Sequence, residues 1–207
     1  MSFAERVLES VRPGGDLSGP VSRMLEQQRR TWPLLAAGEA SFAKVISREI
    51  EDRGSRVIVQ SNPGRRVSTS AKVDPGSVAA RPCFLCERNL PPEERGVAFG
   101  DDLIVFANPF PIVGDHLSIV SRDHAPQRIA GRVAEMLALA RALGPKMLVL
   151  YNGPACGASA PDHFHFQAGQ SSALPIAIDA ERPGPLEKRP DHGPATAKPP
   201  ETILELV

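Results

Sequence analysis

Apolar and polar positions follow two rhythms along this 207-residue chain. Spacings of three and four residues predict helices, and alternation or a short apolar run between turn residues predicts strands. By the first pattern residues 2–11 and 20–36 read as helices. Pro20 suits a first helical position, and Val21, Met24, Leu25 and Trp32 partly follow helical spacing. Residues 125–143 read as a third helix through Ile129, Val133, Met136, Leu137, Ala140 and Leu143, stopped by Gly144-Pro145. By the second pattern residues 41–50 and 55–61 are strands split by the turn Asp52-Arg53-Gly54. Strands also read at 95–99, 103–107, 115–121, 147–151 and 162–168, with Asn108-Pro109-Phe110-Pro111 breaking the chain. Residues 62–82 read as a loop or extended connector, and 152–160 as a glycine-containing loop.

This order predicts an α+β fold, an antiparallel sheet packed with helix 125–143. It predicts a helical arm over residues 1–40, a main domain over 41–170 and a proline-rich, partly disordered tail over 171–207. Residues 180–200 hold six prolines and few apolar side chains, a composition that builds no core.

Composition narrows the function classes. Basic and acidic side chains number 24 each, so the net charge of zero argues against bulk electrostatic capture of nucleic acid or anionic membrane. No run approaches the ~18–20 apolar residues of a membrane-spanning helix. The first residues mix charges into an amphipathic pattern unlike a secretory signal, so the expected location is the cytoplasm. Three cysteines are too few for a disulfide framework, which points them toward metal or redox chemistry.

Four stretches carry candidate chemistry. In Asp162-His163-Phe164-His165-Phe166-Gln167, strand alternation would put His163, His165 and Gln167 on one surface and both phenylalanines in a core. Neutral imidazoles there suit nucleophilic work on a polyanion; incidental surface histidines are the plain alternative. Cys83-Phe84-Leu85-Cys86 is a zinc half-site or a redox pair, and its proline-flanked setting looks like a knuckle. The loop Tyr151–Ser159, with Asn152, Gly157 and Ser159, could bring backbone N–H groups to phosphate oxygens, or be an ordinary tight loop. Arg65 and Arg66 could fork onto phosphate, or be solvated surface side chains.

Together these residues resemble the histidine-triad (HIT) superfamily, in its transferase branch. The stretches CFLCERNLP, ANPFPIVGDHLSIVSRDH and YNGPACGASAPDHFHFQAG carry the likeness, which covers about residues 20–170. It implies a HIT-like nucleotidyltransferase domain over 41–170. It also implies nucleotidyl transfer from a nucleoside polyphosphate or nucleotide sugar to a phosphate-type acceptor. By the same resemblance His165 is the nucleophile that forms a nucleotidyl-histidine. Cys83, Cys86, His124 and His163 are the ligands of a structural zinc. His116 supports the active-site network, Asn108 contacts the nucleoside sugar and Asn152 lies near the phosphates. Gln167 replaces the third histidine of the hydrolases, which favours transfer over hydrolysis. Relatives that pair as dimers make a homodimer an expectation. Two rivals stay open: a HIT-type hydrolase, and a zinc-stabilised nucleotide-binding module without catalysis.

Overall fold

The computed structural model describes residues 1–52, 55–62, 74–156 and 158–175. The chain opens with one helical turn, α1 (Phe3–Arg6), closed by a capping box in which Ser2 and Glu5 each bond the other's backbone N–H. The helix expected over 2–11 stops there, and Val7–Val11 form strand β1 with an alternating burial pattern. β-Branched Val7 and Val11 suit a pleat better than a helix, and β1 lies parallel to a later strand, with Val11 opposite Phe99.

The helix expected over 20–36 is two, α2 (Ser18–Thr31) and α3 (Pro33–Phe42). Pro33 forces the residue before it out of helical geometry, and Trp32 sits extended at φ −121°, ψ 96°. Because α3 runs on to Phe42, the strand expected at 41–50 begins only at Ile46. β2 (Ile46–Asp52) and β3 (Ser55–Ser61) then make a two-stranded antiparallel ribbon with register Ile46↔Ser61. Within the expected 62–82 connector, Asp74 caps a short helix, α4 (Pro75–Ala80).

The remaining strands are β4 (Gly96–Phe99), β5 (Leu103–Ala107), β6 (Leu117–Ser121), β7 (Met147–Leu150) and β8 (His165–Gln170). Between them, helix α5 covers only Val133–Leu143 of the expected 125–143. Pro126 lacks a donor and Gly131 sits at φ +80°, so residues 125–132 take an irregular path. Among the described residues the main sheet has the order β1-β4-β5-β6-β8-β7, antiparallel except for β1 against β4. This is the α+β class that the sequence pattern predicts.

Both faces of the sheet are covered. On one face Leu17, Val21, Met24 and Trp32 from the N-terminal region and Leu139 and Leu143 from α5 pack on Val105, Ile119, Phe164 and Phe166. Residues 1–40, expected as a helical arm, thus contribute a strand and core side chains to the same sheet. On the other face Phe3 and Leu90 pack on Ile104, Phe106 and Val120. Alternation along β8 and the residue before it sends Phe164 and Phe166 into the first layer, edge to face at 4.9 Å, and leaves His165 and Gln167 on the second. Burying each ring stabilises the chain by about 1.5–3 kcal/mol. No helix among the described residues is long and apolar enough to cross a membrane.

Candidate functional site

The knuckle is a tight turn in which the Cys86 N–H donates to the Cys83 carbonyl and the Asn89 side chain bonds the same carbonyl at 2.7 Å. Both sulfurs meet histidines brought from far along the chain. His163 Nδ1 lies 3.4 Å from Cys83 Sγ and 3.6 Å from Cys86 Sγ, and His124 Nδ1 lies 3.2 Å from Cys86 Sγ. The four donor atoms all fall within 4.8 Å of one another. Two sulfurs and two nitrogens around a tetrahedral ion are spaced about 3.3–3.8 Å, given bonds of ~2.0–2.3 Å. The Cys83, Cys86, His124 and His163 cluster could therefore hold a metal ion.

The hydrogen bonding of His163 fits the same use. His163 is 0% exposed, and its Nε2–H donates to the Ser121 carbonyl at 2.8 Å, leaving the Nδ1 lone pair toward the thiols. Burial holds this imidazole below the ordinary histidine value and pushes the Cys83 thiol up to about 11. His124 Nε2 stands 3.9 Å from Asp162.

His165 follows directly. Its ring is buried, with Nδ1 2.9 Å from the carbonyl oxygen of His163. With that carbonyl as acceptor, Nδ1 carries the proton and Nε2 carries the lone pair. Burial lowers its pKa, with the carbonyl bond partly opposing, so the ring is neutral near pH 7. Two residues on, Gln167 accepts from His116 Nε2–H at 3.0 Å, which leaves the –NH2 of its amide as a donor. Asn108 belongs to the same end of the sheet. Its N–H donates to the His116 carbonyl at 2.8 Å, and its side chain bonds Ser118 and closes a turn onto the Phe110 N–H.

The loop after β7 is tied in through backbone groups. The Asn152 carbonyl accepts from Gln127 Nε2 at 2.9 Å, and the Ser159 carbonyl accepts from Arg81 at 3.0 Å. Gly157, Arg65 and Arg66 lie outside the described residues. The structure thus gathers the four donors, His165, the His116–Gln167 pair, Asn108 and Asn152 around one stretch of β8 and the turn before it.

Two participants escape a reading of the sequence. Arg81 stacks over Phe84 at 4.8 Å and reaches Ser159 and Asp162, joining the knuckle to the loop. Gln127, 0% exposed, bonds both backbone groups of His165. Pro126 and Gly131 inside a supposed helix were the signal that this stretch is irregular and its amide free to reach elsewhere.

The sequence signature of a domain of unknown function (DUF4922) matches residues 24–170. No curated protein matches the chain. Similar solved structures are those of yeast Ap4A phosphorylase Apa2, at 19% identity, covering 75% of this chain and 47% of that one with a TM-score of 0.47. The AMP complex of the same enzyme gives 20%, 72%, 48% and 0.45, and the Ap4A complex 19%, 74%, 51% and 0.43. The chain spans about half the length of the solved structures it matches.

Proposed function

Starting from the fact that the chain belongs to the DUF4922 family, we propose that it transfers nucleotidyl groups through a covalent adduct on His165. One observation carries the reading. His165 is a buried, neutral imidazole whose Nδ1–H is fixed on the His163 carbonyl, so that Nε2 is the free nucleophilic nitrogen. The H-φ-H-φ-Q pattern by which the sequence resembles HIT transferases supports it.

In the first step Nε2 of His165 attacks the α-phosphorus of a nucleoside polyphosphate or nucleotide sugar. An N–P bond forms and the bond from that phosphorus to its bridging oxygen breaks, the leaving phosphate taking the electron pair. In the second step an oxygen of a phosphate-type acceptor attacks the same phosphorus, the N–P bond breaks and His165 returns neutral. Gln167 does not titrate, so its amide donates a hydrogen bond to a phosphate oxygen without serving as an acid. His116 holds that amide in orientation. Backbone N–H groups after Asn152, with the Ser159 hydroxyl, are the proposed stabilisers of charge on the phosphoryl group, and Arg65 and Arg66 further candidates. Asn108 is the proposed contact to the nucleoside sugar.

The Cys83, Cys86, His124 and His163 set suits zinc. With four protein ligands such an ion has no open position, so its part is structural. The chemistry falls to the imidazole at 165, which the same turn aims through the His163 carbonyl.

Intact-mass measurement after incubation with diadenosine tetraphosphate, UDP-sugars and GDP-sugars tests the reading. The wild-type chain is expected to gain one nucleotidyl mass, and His165→Ala to gain none while keeping its circular dichroism and metal content. A nucleotidyl adduct on His165→Ala would remove His165 as nucleophile.

A further inference from the structure

β7 stops at Leu150, which pairs with Gln167 of β8. Two residues further in the same register Asn152 would face His165. The side chain of Gln127 stands there instead. Its Oε1 accepts from the His165 N–H at 2.8 Å. Its Nε2 donates to the His165 carbonyl at 2.9 Å and to the Asn152 carbonyl at 2.9 Å. A primary amide offers one acceptor and a pair of donor hydrogens, so a single side chain supplies what a strand neighbour's peptide groups would have supplied.

Gln127 is itself held. It is wholly buried, its N–H donates to the Pro161 carbonyl at 3.4 Å, and its carbonyl accepts from Tyr151 O–H at 3.0 Å. Tyr151 precedes the loop and Pro161 precedes the histidine turn, so the residue is fastened to both of the segments it joins.

We infer that Gln127 is a positioning residue for nucleotidyl transfer. It sets the separation between the strand that carries His165 and the loop that begins at Asn152. This rests on the reading of His165 as nucleophile. Without the amide, the buried N–H and C=O of His165 lose their partners on that side, and the strand edge shifts to find others. A displacement of about 1 Å between reacting atoms lowers a rate by as much as ~100-fold. Binding of the donor, spread over other groups, is affected far less.

The test uses the metal-loaded 207-residue chain with Gln127→Met, which fills similar volume without donors, and Gln127→Glu, which keeps the acceptor and at most one donor hydrogen. The limiting rate of adduct formation is expected to fall about 10–100-fold in both. The half-saturating donor concentration should change by less than about threefold, with metal content and thermal midpoint retained. Backbone hydrogen exchange at His165 should accelerate most in Gln127→Met and less in Gln127→Glu. A wild-type limiting rate in Gln127→Met would overturn the inference. So would a loss that tracks metal release and unfolding. If the wild-type chain takes up no nucleotide from any donor, the transfer reading fails by itself. The exchange measurement then still decides the clamp, and unchanged protection of the His165 amide in Gln127→Met refutes it.

Discussion

Asp115 sits at φ +48°, the one non-glycine residue with positive φ among those described, and it hands the chain to His116. An alanine in that region pays roughly 1–2 kcal/mol, whereas short polar residues tolerate it better. The carboxylate of Asp115 is also used twice. Arg29 reaches Oδ1 at 2.7 Å while pairing with Glu39, and Gln170 donates to Oδ2 at 2.8 Å. Partly exposed ion pairs contribute about 0–1 kcal/mol each, so the backbone is the larger effect. Asp115→Asn is therefore expected to cost under about 1 kcal/mol, and Asp115→Ala about 1–2 kcal/mol more, in urea unfolding. Equal losses for both variants would show that the ion pair, not the backbone, governs this turn.

At the scale of elements, the knuckle and the turn before β8 depend on each other through the proposed metal. Metal removal leaves a buried thiol and a buried imidazole facing each other without the ion, while the sheet core stays intact. Chelation of the metal-loaded protein should lower the thermal midpoint and expose two thiols to titration. The loss should be smaller than the ~10–16 kcal/mol typical of zinc-finger peptides that have little core of their own. Cys83→Ser should mimic chelation, and Cys156→Ser, at an exposed position, should not. An unchanged midpoint after complete metal removal would deny the knuckle its structural part.

Legibility differed between elements for physical reasons. β5 occupies the expected 103–107 because it is apolar throughout and buried on both faces, between turn residues. The cysteine pair declared metal or redox chemistry by type, but which histidines would join it came only from the family resemblance, and the structure brings Cys83, Cys86, His124 and His163 together. The break at Trp32 lay in Pro33 and was overridden by the apolar spacing on either side of it. The first helix failed because β1 is a short edge strand whose partner, β4, lies almost ninety residues away. Gln127 acts through backbone N–H and C=O groups, and Arg81 through the Ser159 carbonyl, the Asp162 carboxylate and the Phe84 ring. Side-chain type alone does not mark such roles.

Across the whole molecule, one buried acid sets a pH dependence. Glu94 is 7% exposed, and burial raises its carboxyl to about 8, only partly countered by Arg6 nearby. The unfolded chain loses that proton near the ordinary glutamate value of 4.5, so between about 4.5 and 8 the folded state holds more protons. The stabilisation is complete below that window and disappears as pH rises through it, at no more than about 1.4 kcal/mol per pH unit. Urea midpoints measured from pH 5 to 8.5 should therefore fall more steeply for the wild type than for Glu94→Gln. Parallel curves would mean that Glu94 ionises alike in both states.

The sheet order has a temporal side. Among the described residues β8 is the last strand of the sheet in chain order, yet it lies between β6 and β7. During synthesis the two earlier strands must wait, their facing edges open, until residues 165–170 leave the ribosome and slot between them. His163 and His165 arrive with that insertion, so a nascent chain holds both knuckle thiols and His124 well before it holds the second imidazole of the cluster. Closing the sheet and assembling the proposed site are one event.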